Sequence, residues 1–422
     1  MKKLFVSAVA AVALAALALP ASAFENQFGG YWRTRAYTQK DFAPDGKGDL
    51  SEVDTRTRLF YTAKFSDDFK FVNKFEFNAV WGDNDGGDIG ADGKNDWRIK
   101  NSYVDMNLGD WNAKIGTQGG VIARGFILDD DFSGAVVTYQ GAGFDVPVMW
   151  IKHTEGDMGK KANEKDVDYF VVNPTVKVSD QLAVNPFFMW IGSENTQNFI
   201  DPGTGTQYMG GIKEANLYYL GVNADMDYGM GSAWFTGIYQ FGSVDAIAGN
   251  SFGVPAGKSV DVKAYLVALG GDVDLDAFKV HGQMFYASGD DSGSDYEQFF
   301  VPAGQSYYWS EIMGLGIFDN HQSNNAPGDK IGNIMAVNLG GSMSPMPKLK
   351  VTADVWYAKL VEDVLAPNGK MESDLGTEIN LKATYKVMDN LNLDVVGAYL
   401  FAGDATGKDD PYLVGTRLSF GF

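Results

Sequence analysis

Segments of alternating apolar and polar residues recur throughout this chain, and the joins between them alternate between short and long. From Phe69 the apolar positions are Phe69, Phe71, Phe75, Phe77, Ala79 and Trp81, with Lys70, Lys74, Glu76 and Asn78 between them. Further on, Leu349, Val351, Ala353, Val355 and Tyr357 alternate with Lys350, Thr352 and Asp354. Leu375, Ile379, Leu381, Ala383, Tyr385 and Val387 oppose Glu378, Asn380, Lys382 and Lys386 in the same way. A period of two puts the two sets on opposite faces of a β-strand. Short turns fall at 66–68, 109–110, 141–143, 179–180, 227–231, 272–276, 344–347 and 388–390. Longer loops rich in Gly, Asp and Asn fall near 40–51, 83–96, 119–132, 154–165, 195–213, 245–258, 288–329, 362–373 and 403–410. Eight short turns and nine long loops imply eighteen strands, the first beginning near Phe28 and the last running from Tyr412 to Phe422.

Strands with one greasy and one polar face, short turns at one end and long loops at the other are the mark of a transmembrane β-barrel. Lipid offers no hydrogen bonds, so a sheet that spans it must close on itself. A secreted sandwich also alternates, but it gives no reason for two-ended loop asymmetry or an even strand number. The spacing therefore predicts an all-β, antiparallel, up-and-down transmembrane barrel. Its turns would be periplasmic and its long loops extracellular. Sixteen strands is the other even count that the weak signal of each segment allows.

The N-terminus fits an exported protein. Lys2 and Lys3 precede an apolar run from Leu4 to Leu19, followed by Pro20 and Ala21-Ser22-Ala23. A charged start, an apolar middle and a small-residue cleavage site make a signal peptide over 1–23. That leaves 24–422 as a single barrel domain. No Cys is present, which excludes disulfides and an N-terminal lipid anchor. Removing Lys2 and Lys3 takes the formal net charge from −20 to −22, which argues against nucleic acid as a partner.

In the final strand, Tyr412, Val414, Thr416, Leu418, Phe420 and Phe422 alternate with Leu413, Gly415, Arg417, Ser419 and Gly421. With the signal peptide and the eighteen-strand pattern, this tail resembles that of a Gram-negative outer-membrane porin, across essentially the whole mature chain. The size and strand count resemble the eighteen-stranded substrate-specific and alginate-export-like channels. The resemblance implies that Tyr412, Phe420 and Phe422 belong to a signal read by the outer-membrane assembly machinery. It also implies residence in the outer membrane among lipid and lipopolysaccharide, with a homotrimer as one possible state.

A barrel of this width leaves an aqueous channel unless loops fill it, so inward residues should carry the function. If Phe28, Trp32, Thr34 and Ala36 face lipid, Arg33 and Arg35 face the lumen. By the same parity Arg56, Arg58 and Lys64 point inward from the second strand, Lys70 and Lys74 from the third, and Lys114 from the fifth. Closure would bring Arg417 beside Arg33 and Arg35. Such a ladder would concentrate anions. The alternative is that these cations pair with inward acids such as Glu76 and Asp105.

The join 119–132 carries Asp129, Asp130 and Asp131 beside Arg124. Folded inward, as the third long loop is in many porins, it would set three carboxylates against the basic wall. The alternative is a solvated acidic tip. Tyr307, Tyr308 and Trp309, in the loop 288–329, could stack sugars or pack a lid. The stretch Asp83–Asp96 has the composition of a calcium loop without the EF-hand spacing, and no metal or cofactor is assigned. With only His153, His281 and His321 and no hydrolase motif, the chain does not read as an enzyme. His281 is placed in the lumen on the thirteenth strand.

The expected function is passive diffusion of small hydrophilic solutes, anionic or sugar-like, with a preference for anions. The alternatives are a specific channel that binds an oligosaccharide or polyuronate, or a barrel that sheaths a partner redox protein.

Overall fold

The computed structural model describes residues 24–42, 48–82, 97–155, 166–194, 211–248, 250, 252–291, 293–319, 331–407 and 409–422. The signal-peptide segment, the Asp83–Asp96 stretch and His321 lie outside them.

The strands run in chain order as β1 Glu25–Lys40, β2 Leu50–Ser66, β3 Phe69–Val80, β4 Trp97–Leu108, β5 Trp111–Ile122 and β6 Leu128–Gly141. They continue as β7 Phe144–Thr154, β8 in two pieces (Val167–Val172 and Thr175–Lys177), β9 Leu182–Glu194, β10 Ile212–Asp227, β11 Gly231–Ala246 and β12 Ser259–Leu275. The last six are β13 Phe278–Ala287, β14 Ile334–Met346, β15 Leu349–Leu365, β16 Met371–Met388, β17 Leu391–Ala402 and β18 Tyr412–Gly421. Both pieces of β8 pair with β7 and with β9, so they form one stave. Pro174 separates them because it has no N–H to continue the ladder. Asn185 of β9 donates to the Asn173 and Pro174 carbonyls left over there.

Each strand is antiparallel to its neighbours, and β18 pairs with β1, which closes an eighteen-stranded barrel. The closing register sets Trp32 opposite Phe420 and Arg35 opposite Arg417. The ladder extends to the last residue, since Gly30 N–H donates to the Phe422 carbonyl at 2.8 Å and Phe422 N–H to the Gly30 carbonyl at 3.1 Å. Only glycine fits at position 30, because a Cβ there would lie 2.3 Å from the Phe422 ring. The tail is thus held as a ladder strand rather than left to fray.

The outward face carries two aromatic belts. Near the short turns Phe65 packs against Phe24 and Phe69, Tyr139 against Trp111 and Phe144, and Phe420 against Trp32 and Phe422. Near the long loops Phe170 stacks on Trp190, Phe241 on Tyr218 and Tyr239, and Tyr265 on Tyr286. Between them lie exposed aliphatic residues such as Leu220, Leu269, Leu339 and Leu381. Rings at two levels with aliphatics between match the two interfaces of a bilayer. Among the described residues no helix is long and apolar enough to cross a membrane.

Several boundaries differ from the sequence expectation. The joins predicted at 272–276 and 344–347 start later and each close one residue later, at 276–277 and 347–348. The loop expected over 362–373 is shorter, because β15 continues to Leu365 and β16 begins at Met371. Leu375 does not share the lipid face with Ile379 and Leu381. Register shifts beside Gly376 (φ 113°) turn it into the interior, where it is fully buried.

The largest departure concerns what faces inward. The inner wall is apolar on much of its circumference: Ile151, Tyr169, Met189, Ile191, Leu217, Tyr219, Leu266, Phe285 and Trp356 are all buried. They pack against chain inside the barrel, chiefly Phe299, Trp309, Ile312, Met313 and Phe318. The barrel therefore encloses a hydrophobic core, formed where the β13–β14 connection folds back into the lumen.

Candidate functional site: the lumen and its inner segments

Among the described residues, the β5–β6 and β13–β14 connections enter the lumen. The first, between β5 and β6, is much shorter than the loop expected over 119–132. The strands run on to Ile122 and resume at Leu128, leaving a tight turn at Ala123–Gly125. Gly125 adopts φ 92°, and a Cβ there would meet the Ser306 carbonyl oxygen at 2.4 Å, so the turn presses directly on the second segment. Arg124 reaches across to β10 and β11. Its Nη2 donates to Asp225 Oδ1 at 2.7 Å and to the Ala224 carbonyl at 3.2 Å, and its Nε to Thr236 Oγ1 at 3.2 Å. The guanidinium also lies 4.9 Å from the centre of the Trp234 ring. Phe126, fully buried, stacks on Tyr307 at 3.9 Å.

Asp129, Asp130 and Asp131 are not on a loop tip facing the basic wall. All three lie on β6, paired with Val121, Gly120 and Gly119. Asp131 binds Lys100 at 2.7 Å and Asn101 at 2.7 Å, both on β4. The hydrogen bonding of the extended backbone outweighs the loop-like composition of the stretch.

The second connection is the described segment 288–319, and the wall holds it at several points. Tyr219 donates to the Phe300 carbonyl at 3.0 Å, and Gln240 Oε1 accepts the Phe300 N–H at 2.9 Å. Tyr307 donates to Gln283 Oε1 at 2.7 Å. Trp309 lies edge-on to Trp356 at 5.0 Å. At the far side Arg35 donates to the Phe318 carbonyl, and Phe318 stacks on Tyr37 at 5.0 Å. Tyr307 and Trp309 are therefore packing residues inside the barrel. Tyr308, 48% exposed, faces open space and donates to Asp319 Oδ1 at 2.9 Å. Burial pushes the Glu311 carboxyl up from its usual range.

The barrel closure and strand register bring Arg33, Arg35, Arg56, Arg58 and Arg417 onto one arc. Arg33 pairs in register with Arg56, and Arg35 with Arg417. Most have carboxylate partners. Arg35 lies on Asp54, Arg58 on Glu76 at 2.6 Å, and Arg417 on Asp394 through Nε at 2.9 Å and Nη2 at 2.8 Å. Glu76 also receives Arg98 at 2.8 Å and lies 3.6 Å from Arg56. Lys70 meets Asp105 at 3.4 Å, and Lys114 faces the same Asp105 in register. Lys74 lies 5.5 Å from the Phe60 ring centre. Lys64 stands apart from the arc, holding Asp67 of the adjacent turn at 2.5 Å. Arg33 is as buried as Arg35, each 7% exposed, but its Nε and Nη2 have no hydrogen-bond partner among the described residues.

A cavity of about 710 Å³ opens beneath the inner segment. One side presents Arg33, Arg56, Arg58, Lys382 and Arg417. β12, β13 and β15 present Asp272, His281 and Asp354, and the inner segment adds Glu311 near Lys382 and Arg417 and Asp319 near Arg56. His281 is on β13, where sequence parity had set it, with Nε2 2.7 Å from Asp354 Oδ1. Asp272, Asp354 and Lys382 were missed as cavity groups. Their alternation was legible, but only the barrel's curvature shows that they face the arginines. Among the described residues no cluster of His, Asp or Glu could hold a metal ion.

No family model matches the sequence, and no curated protein matches it. Solved structures do match. Pseudomonas aeruginosa OprD shares 13% identity over 95% of this chain and 96% of its own, with a TM-score of 0.59. The fold is that of the Occ/OprD outer-membrane porins. Pseudomonas aeruginosa OpdK, solved with vanillate, gives 11% identity over 94% of this chain and 98% of its own, with a TM-score of 0.56. Acinetobacter baumannii OccAB4 gives 12% over 94% and 98%, with a TM-score of 0.57. The last two residues of the proposed assembly signal, Phe420 and Phe422, lie together at the short-turn end, whereas Tyr412 begins β18 at the other.

Proposed function

We infer that this protein is an outer-membrane porin, exported with removal of residues 1–23, that passes small hydrophilic solutes and favours anions. The observation that carries the anion preference is Arg33. Its Nε and Nη2 donate to no acceptor among the described residues, so Asp54, the carboxylate whose charge reaches it, offsets its field only through space. Around it the arc from β16 through the closure to β2 presents further cations to the cavity, and β12 and β15 present the carboxylates of Asp272 and Asp354. Charges separated in this way set a field across the solute's path and orient it. The fold likeness supports a channel, and OpdK, solved with vanillate, is a barrel of this fold that takes an aromatic carboxylate.

Trp234 and the exposed Tyr308 also line the cavity, which favours, as a second reading, a ring-bearing or sugar-like acid over a simple inorganic anion. The sheath for a redox partner is disfavoured, because the chain's own segment crosses the lumen. Contacts with lipopolysaccharide and the assembly machinery, and trimerisation, rest on the resemblance to porins.

Reversal potential in a planar bilayer under a salt gradient tests the reading. Anion preference is expected, weakened on Arg33→Gln. Cation preference in the unaltered protein would overturn it.

A further inference from the structure

The tip of the inner segment, Glu311–Ile317, ends at one wall residue. Glu378 of β16 is fully buried, and its carboxylate accepts three successive backbone N–H groups, those of Glu311, Ile312 and Met313, each at 2.9 Å. Three consecutive N–H groups converging on one anion form a small anion-binding nest. Among the described residues no Lys or Arg forms an ion pair with Glu378, so these donors stand in for a counter-charge. The tip is also closed on itself, since Ile317 N–H donates to Glu311 Oε2 at 2.9 Å. At Gly316 (φ 54°) a Cβ would strike that same oxygen.

The remaining anchors of the segment lie on either side of this point. Phe299 and Phe300 belong to the apolar core, and Phe318 rests on Tyr37 and Arg35. Ile312 and Met313 are themselves fully buried, so the nest and the apolar seat coincide. From Glu311 to Phe318 the tip has no strand pairing, so side chains accept its amides in place of a ladder: Glu378 takes three and Glu311 takes that of Ile317.

We propose that Glu378 is a latch: by accepting the three N–H groups it holds the Glu311–Ile317 tip across the lumen, and so positions Glu311 at the cavity and limits the bore. The effect on the bore rests on the channel reading; the latch itself does not. Glu378 faces inward from a strand paired on both edges, so its replacement leaves the wall ladder intact.

Two measurements test this. The first uses the absence of cysteine in the native chain. Ile312→Cys, buried behind the latch, should react slowly with a membrane-impermeant maleimide and at least tenfold faster when Glu378→Ala is added. Glu378→Gln, which keeps one accepting oxygen, should fall between the two. Equal labelling rates in all three, with heat-modifiable gel mobility showing folded barrels, would overturn the latch. The second measurement is single-channel conductance of Glu378→Ala beside a deletion of 311–317. Both should exceed the unaltered protein by at least twofold. A deletion that conducts more while Glu378→Ala stays at the original level would also overturn it. If no form conducts but the labelling difference persists, the channel reading fails and the latch stands.

Discussion

On the arc from β7 to β15, inward positions hold Ile151, Tyr169, Met189, Leu217, Leu266, Phe285 and Trp356. On the arc from β16 through the closure to β4 they hold Lys382, Asp394, Arg417, Arg33, Arg56, Arg58 and Glu76. Both arcs belong to one ladder with one hydrogen-bonding rule, so the backbone does not distinguish them. The difference lies in what each faces. At these apolar positions the first is covered by the inner segment and behaves as one side of a protein core, while Asp272, His281 and Asp354 of the same arc border the cavity. The second borders open cavity, where charge can remain hydrated and act on a solute. On the proposed function, one part of the wall would hold the constriction and the other would select.

The largest effects should come from exchanging the characters of the two arcs. Met189→Asp buries a carboxylate against the inner segment and should cost roughly 3–5 kcal/mol, read as a lower denaturation midpoint of the lipid-folded barrel. An unchanged midpoint would mean that the apolar arc is hydrated. Phe285→Ala removes the ring shared by Phe126, Tyr307 and Trp309, and should cost about 3–5 kcal/mol. A loss well under 1 kcal/mol would show that the inner segment is not seated as described.

The charged arc should respond with selectivity rather than stability. Changing Arg33, Arg56, Arg58 and Arg417 together to Gln leaves Asp394 uncompensated and Glu76 with Arg98 as its remaining partner, and should move the reversal potential from the anion side to the cation side. Persistent anion preference would remove the arc from the selection mechanism. Arg33→Met alone should leave the midpoint unchanged or raise it slightly, since it removes an unpaired buried charge. A fall of more than about 1 kcal/mol would show that Arg33 is bound to something structural.

The smallest effect concerns pH. Burial raises the Glu311 carboxyl in the folded protein, so folding favours its protonated form. Its contribution is fully present below the ordinary carboxyl value and is lost as pH rises through the raised one. Open-channel current noise should therefore grow slightly as pH rises through that window, and Glu311→Gln should flatten the dependence. An identical profile in the variant would exclude Glu311 as its source.

Much of the wall was legible from alternation alone. The eighteen strands, most of the turns and the inward parity of Arg33, Arg35, Arg56, Arg58, Arg417 and His281 follow from a period of two, because a strand has only two faces. Leu375 escaped that rule, since a register shift of one residue exchanges the faces. The segment 288–319 escaped it too, because its Gly, Ser and Asp content reads as surface loop while Phe299, Ile312, Met313 and Phe318 are scattered without period. Their spacing is set by a curved interior rather than by a strand or a helix.

The sequence by itself determined that the chain forms a closed antiparallel barrel ending in an aromatic strand, since alternation and unpaired edges in lipid leave no other solution. Tertiary structure decided which inward residues meet. It paired Arg35, Arg58 and Arg417 with carboxylates, left Arg33 Nε and Nη2 without a hydrogen bond among the described residues, moved Asp129–Asp131 onto a strand, and set Glu378 beneath three backbone amides. The physical reason is that parity along a strand is local. Proximity across a lumen depends on the curvature of the whole sheet and on which loop returns to fill it.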